Sequence, residues 1–382
     1  MRRMRGVAVV AIALTSVVSL AACAKDSAGS GGGGSTTSQG AGGCKYTDPP
    51  KATAASTTTT SDKKVDASGL KVGLAYDIGG RGDASFNDAA AHGLDRAKAE
   101  LGVKDVRETT ATPNESDAAK EARLRQLAQD GYNPIVTVGY AYGLPLANVA
   151  KDFPGTRFAI VDSTVDNAPN VTPLTFTEEQ GSFLVGVIAA YKSKACHVGF
   201  VGGVQVPLIQ KFQAGFDLGA KTAAPGIKIE DQYITPAGDP GGYQDPPKGR
   251  LKAQGELSAG ADVIYQAAGN SGKGIFQAVK EKGNAYAIGV DSDQYKQPTL
   301  ADYRDVIISS MIKSVDLAVF DYLRAVAGGD LATLPKVFDL AVGGVGYATS
   351  GGRIDDIRDI VEAYKAEIIS GGIKVPTTPA AG

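Results

Sequence analysis

Two apolar patterns divide the chain. Residues 6–20 form a near-continuous apolar run behind Arg2, Arg3 and Arg5, and from Leu70 onward short β-branched runs alternate with helix-period segments. The first run is shorter than the roughly 20 residues of a permanent bilayer-spanning helix. Its length and basic start are those of a secretory signal peptide. In the second region Lys71–Tyr76 reads as a buried strand, and a Gly-rich turn leads into a helix with Phe86, Ala89, Ala90, Leu94, Ala97 and Leu101 on one face. The same pattern predicts strands over 134–138, 157–161, 197–201, 263–266, 286–290 and 306–309. Leu184, Val187, Ile188 and Tyr191 mark one further helix, and Ile312, Val315, Val319 and Leu323 another. Strands alternating with helices predict an α/β fold with parallel, doubly wound sheets. About 300 residues is too long for one such sheet and suits two.

The pattern also repeats. Val72-Gly73, Phe86 and Gly93 recur as Val198-Gly199, Phe212 and Gly219, all displaced by the same interval. Gly131 and Asp162 recur as Gly260 and Asp291 at an interval three residues longer. Two intervals that differ by a short insertion read as a duplication. Each copy then carries an aromatic at a helix start and an aspartate after a strand. Ligands of open α/β sheets sit beyond the carboxyl ends of the strands, so two facing lobes would bring both pairs to one cleft.

Charge and composition narrow the chemistry. With 39 basic and 41 acidic residues the net charge is −2, which argues against nucleic acid as a partner. Two histidines and three cysteines leave little for a zinc site. Leu20-Ala21-Ala22-Cys23 resembles the lipobox of bacterial lipoproteins. Cleavage there removes a signal peptide over 1–22 and leaves Cys23 as the acylated first residue; a plain signal peptide with a chance cysteine, or a buried helix, is the alternative. Residues 23–69 are rich in Gly, Ser and Thr and read as a flexible tether. Cys44 and Cys196 then remain, either as a disulfide or as two free thiols.

Phe86 and Phe212 could sandwich a flat ring, or simply pack in a core. Asp162 and Asp291 could accept hydrogen bonds from hydroxyls, or serve as caps and turn residues. Asp83 or Ser85 could cap the helix at Phe86 and leave its backbone N–H groups facing the cleft. Arg81-Gly82-Asp83 reads as a turn. Gly79-Gly80-Arg81-Gly82 lacks the third glycine of a dinucleotide fingerprint, and Gly272-Lys273 lacks the flanking residues of a phosphate loop. Neither His92 nor His197 is placed beside a serine nucleophile, so no catalytic arrangement is visible.

Several stretches together resemble the basic membrane protein family of solute-binding lipoproteins, which includes purine nucleoside receptors. They are Asp77-Ile78-Gly79-Gly80, Asp83-Ala84-Ser85-Phe86-Asn87, Phe158-Ala159-Ile160-Val161-Asp162, Gln210-Lys211-Phe212-Gln213-Ala214-Gly215-Phe216, Gly289-Val290-Asp291-Ser292-Asp293-Gln294 and Ser310-Met311-Ile312-Lys313. The resemblance implies a type I periplasmic-binding-protein fold, two similar Rossmann-like lobes joined by a hinge. The lobes are expected over 70–176 with about 293–328, and over 177–292 with about 329–373, leaving 374–382 as a tail. It implies a nucleoside ligand, purine first (guanosine, inosine or adenosine), and ABC permease and ATPase subunits as partners. By the same resemblance Phe86 and Phe212 stack on the base, Asp77 and Asn87 meet its edge, and Asp291 and Lys313 hold the ribose. Asp162 and Gly269 match other cleft positions. Gly269-Asn270-Ser271 departs from an expected Gly-Gly. A lipid-anchored, extracytoplasmic monomer without cofactor or metal is expected. A surface receptor or adhesin, and a nucleoside-cleaving enzyme, are the competing readings.

Overall fold

The computed structural model describes residues 43–51 and 65–380. The expected signal peptide, Cys23, most of the tether and the last two residues lie outside the described residues. Strands β1 (Lys71–Tyr76), β2 (Asp105–Thr110), β3 (Ile135–Val138), β4 (Phe158–Val161) and β5 (Val171–Leu174) form a parallel sheet in the order β2-β1-β3-β4-β5. A second sheet contains β6 (His197–Val204), β7 (Lys228–Thr235), β8 (Val263–Ala267), β9 (Tyr286–Asp291) and β10 (Ile307–Lys313), in the matching order β7-β6-β8-β9-β10. Only β11 (Val345–Tyr347), paired antiparallel to β10, has no counterpart in the first sheet. Central strands β3, β4, β6 and β8 are buried throughout, as parallel strands covered on both faces must be.

Helices α1 (Phe86–Leu101), α2 (Asp117–Gln129) and α3 (Gly143–Ala150) belong to the first lobe. The second lobe has α4 (Glu178–Lys192), α5 (Pro207–Ala223), α6 (Pro246–Ala259) and α7 (Gly272–Lys282). Helix α8 (Val315–Gly328) returns to pack on α1, and α9 (Arg358–Ile369) packs on α4. The two lobes thus exchange helices: α4 leaves the first sheet to lie against α5, and α8 leaves the second to lie against α1. The repeated glycines make both crossings close. A Cβ on Gly93 would stand 2.5 Å from the Asp316 carbonyl in α8, and one on Gly219 2.0 Å from the Phe183 carbonyl in α4.

Three crossovers join the lobes, after β5, after β10 and after α8. They are stitched together: Phe338 N donates to Thr175 O (2.8 Å), Thr177 N to Phe338 O (3.3 Å), and Ser314 N to Gly344 O (2.8 Å). The Phe176 and Phe338 rings lie 5.3 Å apart at the same point. Here the expected boundaries need correction. The expected division puts about 293–328 in the first lobe, and the helical pattern puts Ile312 on a helix face. Instead β10 pairs with β9 in the second sheet, and Leu300 and Val306 between them pack with Ile275 and Phe276 of α7. Only α8 crosses back. The β-branched and apolar side chains of 307–313 are buried on both faces, which extends the strand past 309.

The expectation of a free tether over 23–69 also changes where residues are described. Cys44 is bonded to Cys196, and Tyr46 stacks on Tyr191 with centroids 4.4 Å apart. Thr47 donates through Oγ1 to Thr222 O (2.6 Å), so this segment is seated on the second lobe. Ala67, 1% exposed, donates its N–H to Leu101 O on the first lobe. Isolated apolar residues in a polar stretch give these contact points, which average composition hides.

Candidate functional site

The carboxyl ends of both sheets open into one cleft of about 640 Å³, part of it open to solvent. Asp77 follows β1, Gly139 follows β3, Asp162 follows β4, Gly269 follows β8, and Asp291 and Lys313 end β9 and β10. With Phe86, Asn87 and Phe212 these residues line the same cleft, so all eight binding positions read from the sequence come together there. The repeated aspartates share a backbone state as well as a position, with φ of 66° at Asp162 and 63° at Asp291. Asp is one of the few side chains that visit this left-handed region, where the strand ends and turns.

The aromatic pair is less symmetric than the sequence suggests. Phe86 is the first residue of α1, whereas Phe212 lies more than a turn inside α5. Pro207 starts α5 earlier, its fixed φ suiting the first helical position. Both rings nevertheless face the same ammonium, at 5.1 and 5.6 Å from Lys313 Nζ.

Asp83, as one of the two expected caps, takes up backbone N–H groups at the start of α1. Asp83 accepts from the backbone N–H of Ser85 (2.9 Å), Asn87 (2.8 Å) and Asp88 (3.1 Å). Ser85 points its hydroxyl elsewhere, donating to Asp291 Oδ2 (2.7 Å) across the lobes. Arg81 pairs with Asp95 and Glu108, so the Arg81-Gly82-Asp83 turn is used internally. Asn87 accepts from Asp77 N (3.1 Å) and donates both amide hydrogens, to Ile78 O (3.2 Å) and Asp83 Oδ2 (3.0 Å). It therefore braces the loop that carries Asp77. Gly139, with φ 105°, leaves room for that carboxylate, since a Cβ there would stand 2.4 Å from Asp77 Oδ2.

A charged centre lies beside the rings. Lys313, 1% exposed, pairs with Asp162 Oδ2 (2.5 Å) and Glu178 Oε1 (3.2 Å). Burial alone would lower its pKa, but Asp162, Glu178 and Asp291 together hold it above the ordinary lysine range. Burial pushes the Asp162 carboxyl up to about 7 against the pull of Lys313, and the nearby Glu178 and Asp291 charges add to the rise. Asp291 is raised in the same way, burial first. Three carboxylates face one ammonium, so the centre has a surplus of acceptors and negative charge. Asp162 Oδ1 is buried without a hydrogen-bond partner, an acceptor suited to a hydroxyl donor.

Sequence reasoning missed Glu178, and also Tyr140, Tyr243 and Gln244, which line the cleft; Asn270, singled out as a departure from Gly-Gly, lines it too. Glu178 and Glu179 open α4, where acidic residues are ordinary complements to the helix dipole. Among the described residues no group of three or more His, Cys, Asp or Glu is placed to hold a metal ion. His197 instead pairs with Glu230 at 2.9 Å.

These buried acids predict a pH profile. Burial raises Asp162 and Glu179 to about 7, and Asp77 and Asp83 to about 6. Unfolded carboxyls titrate near 4, so between those values the folded protein holds more protons and its stability falls as pH rises, by about 1.4 kcal/mol per unit for each extra proton. Asp95, held low by Arg81, acts oppositely but only as pH falls below the ordinary carboxylate range. The thermal midpoint is therefore expected to be higher at pH 5 than at pH 8. A midpoint that climbs from pH 5 to 8 would contradict the buried-acid account.

Known proteins are similar to this chain. The model of the Bmp family, described as ABC transporter substrate-binding protein PnrA-like, matches residues 70–378. A CD4+ T-cell-stimulating antigen of Listeria monocytogenes is 36% identical over 321 residues, covering 81% of this chain and 88% of its own. An ABC transporter nucleoside-binding protein BmpA of Lactococcus lactis is 32% identical over 325 residues, covering 81% and 89%. An ABC transporter solute-binding protein structure from Aeropyrum pernix superposes with a TM-score of 0.68 at 29% identity, covering 82% of this chain and 94% of that one. Duplicated parallel sheets, a cleft between their carboxyl ends and these relatives agree, and the chain belongs to the Bmp family of PnrA-like ABC transporter substrate-binding proteins.

Proposed function

We propose that this chain captures a nucleoside, purine first, between its two lobes and hands it to an ABC importer while anchored outside the cell membrane through an acylated Cys23. The observation that carries the reading is the convergence of Phe86 from one lobe and Phe212 from the other beside Lys313 and its carboxylates. Two rings suit a flat base, and surplus acceptors suit sugar hydroxyls. Asp162, Asp291 and Lys313 would bind the ribose. Asp77, braced by Asn87, would accept from N–H groups on the base edge, and Gly269 would let the backbone approach. The name of the Lactococcus relative supports a nucleoside ligand, and the lipoprotein name of a Pyrococcus abyssi relative at 36% identity supports the anchor. Among the described residues no helix is long and apolar enough to cross a membrane.

Calorimetric titration with guanosine, inosine, adenosine, uridine and ribose tests this. Purine nucleosides are expected to bind and ribose alone to bind far more weakly. Phe212→Ala should weaken guanosine binding by about 1–3 kcal/mol, the stacking contribution of one ring. Equal affinity for ribose and guanosine would sink the sandwich, and free base accumulating during the titration would make the protein an enzyme.

A further inference from the structure

The loop after β1 is gripped from the second lobe on both flanks. On one side Gln244 Nε2 donates to Ile78 O (3.1 Å), and Asn270 Nδ2 donates to Gln244 Oε1 (3.1 Å). The Ile78 carbonyl can only accept, so the Gln244 nitrogen must face it and the oxygen must face Asn270. A single amide orientation satisfies both bonds. The first lobe is shaped for it: a Cβ on Gly79 would stand 2.2 Å from Gln244 Nε2. On the other flank Gln294 Nε2 donates to Ala84 O (3.0 Å), and Ser292 Oγ to Ser85 O (3.0 Å). Gln294 is 2% exposed and held in turn by Gln266 and by Val290 N. Gln244 and Asn270 are only partly buried and sit on the cleft wall.

We propose that the Asn270–Gln244 pair is a latch that holds the two lobes shut over the cleft and sets the rate of ligand release. It rests on the reading above that a ligand is captured between the two lobes. Gln244 bridges the lobes, and Asn270 is a positioning residue that orients the Gln244 amide. Because all the groups involved are amides, the latch does not titrate, unlike the carboxylate centre beneath it. Closure and ligand charge chemistry are therefore separately adjustable in this chain.

Gln244→Glu is nearly isosteric and keeps an acceptor for Asn270, but replaces the donor to Ile78 with a second oxygen. Asn270→Gly removes only the orienting bond. Hydrogen exchange of peptides covering 77–85 is measured on the intact protein without nucleoside, and guanosine association and dissociation by stopped flow. One hydrogen bond is worth about 1 kcal/mol, so Gln244→Glu should speed exchange of this loop about fivefold or more and raise guanosine koff similarly, with kon within about twofold. Asn270→Gly should act in the same direction and more weakly. Unchanged loop exchange in Gln244→Glu would overturn the latch. So would faster exchange spread over β6 and β8 with a matching loss of Tm, which would make the residue structural. An inert Asn270→Gly would remove the orienting role. Altered exchange in a protein that binds no nucleoside would leave the latch standing and remove the nucleoside reading.

Discussion

Replacing Lys313 with methionine is expected to lower the unfolding free energy by about 3–5 kcal/mol at pH 8, and by much less at pH 5. The substitution roughly preserves volume, so no large cavity term enters. What it removes is the ammonium that Asp162 and Glu178 contact and that Asp291 faces. A buried charge left without its partner is costly, and here three carboxylates would share a site with none. Each can escape by binding a proton, and the cost of that proton grows with pH. In the folded variant Asp162 and Asp291 lose the pull of Lys313, so both are raised further, Asp162 beyond its present value of about 7. Unfolded values stay near 4. Stability of the variant should then fall more steeply with pH than that of the wild type, and the gap should widen from pH 5 to pH 8. Urea denaturation at pH 5, 7 and 8 measures it. A gap independent of pH would mean that packing, and not charge, is what Lys313 supplies.

Much of the fold was legible because the central strands are buried on both faces and stand out as apolar runs. The elements that escaped were at sheet edges. β2 and β7 carry Arg107, Glu108, Glu230, Asp231 and Gln232 along half-exposed strands, and β5 holds Pro173, which an edge tolerates. β10 misled for another reason: Ile312 happens to fall in helical phase with Val315, Val319 and Leu323, so the strand end reads as a helix start. Phe86, Phe212, Asp162 and Asp291 of the candidate site were legible through duplication, whereas Asp77, Asn87, Gly269 and Lys313 came only from the family resemblance. The intervals that paired Phe86 with Phe212 and Asp162 with Asp291 found residues that line one cleft, although the helix register around Phe212 differs. Glu178 and Gln244 had no such marker. One reads as an ordinary helix-start acid, and the other sits in a Pro/Gly-rich stretch where a single amide carries no periodic signal.

Asp291 separates function from stability most sharply. Asp291→Asn is expected to weaken nucleoside binding about 100-fold or more, the scale of truncating a buried charged hydrogen-bond partner. Yet the same change should leave Tm unchanged or raise it at pH 8. The folded protein holds three carboxylates around one lysine, and burial already disfavours the ionised form of Asp291. Neutralising it relieves repulsion with Asp162 and Glu178. Asparagine keeps the acceptor that Ser85 Oγ meets at 2.7 Å and tolerates the φ of 63°, so the turn after β9 should hold. Alanine at this position loses both and serves as the harsher control. A residue whose loss harms binding while sparing or stabilising the fold is retained for what it does to the ligand. Wild-type affinity in Asp291→Asn would remove it from the proposed ribose site. Loss of binding together with a fall in Tm would instead make it a strut between the lobes, acting through Ser85.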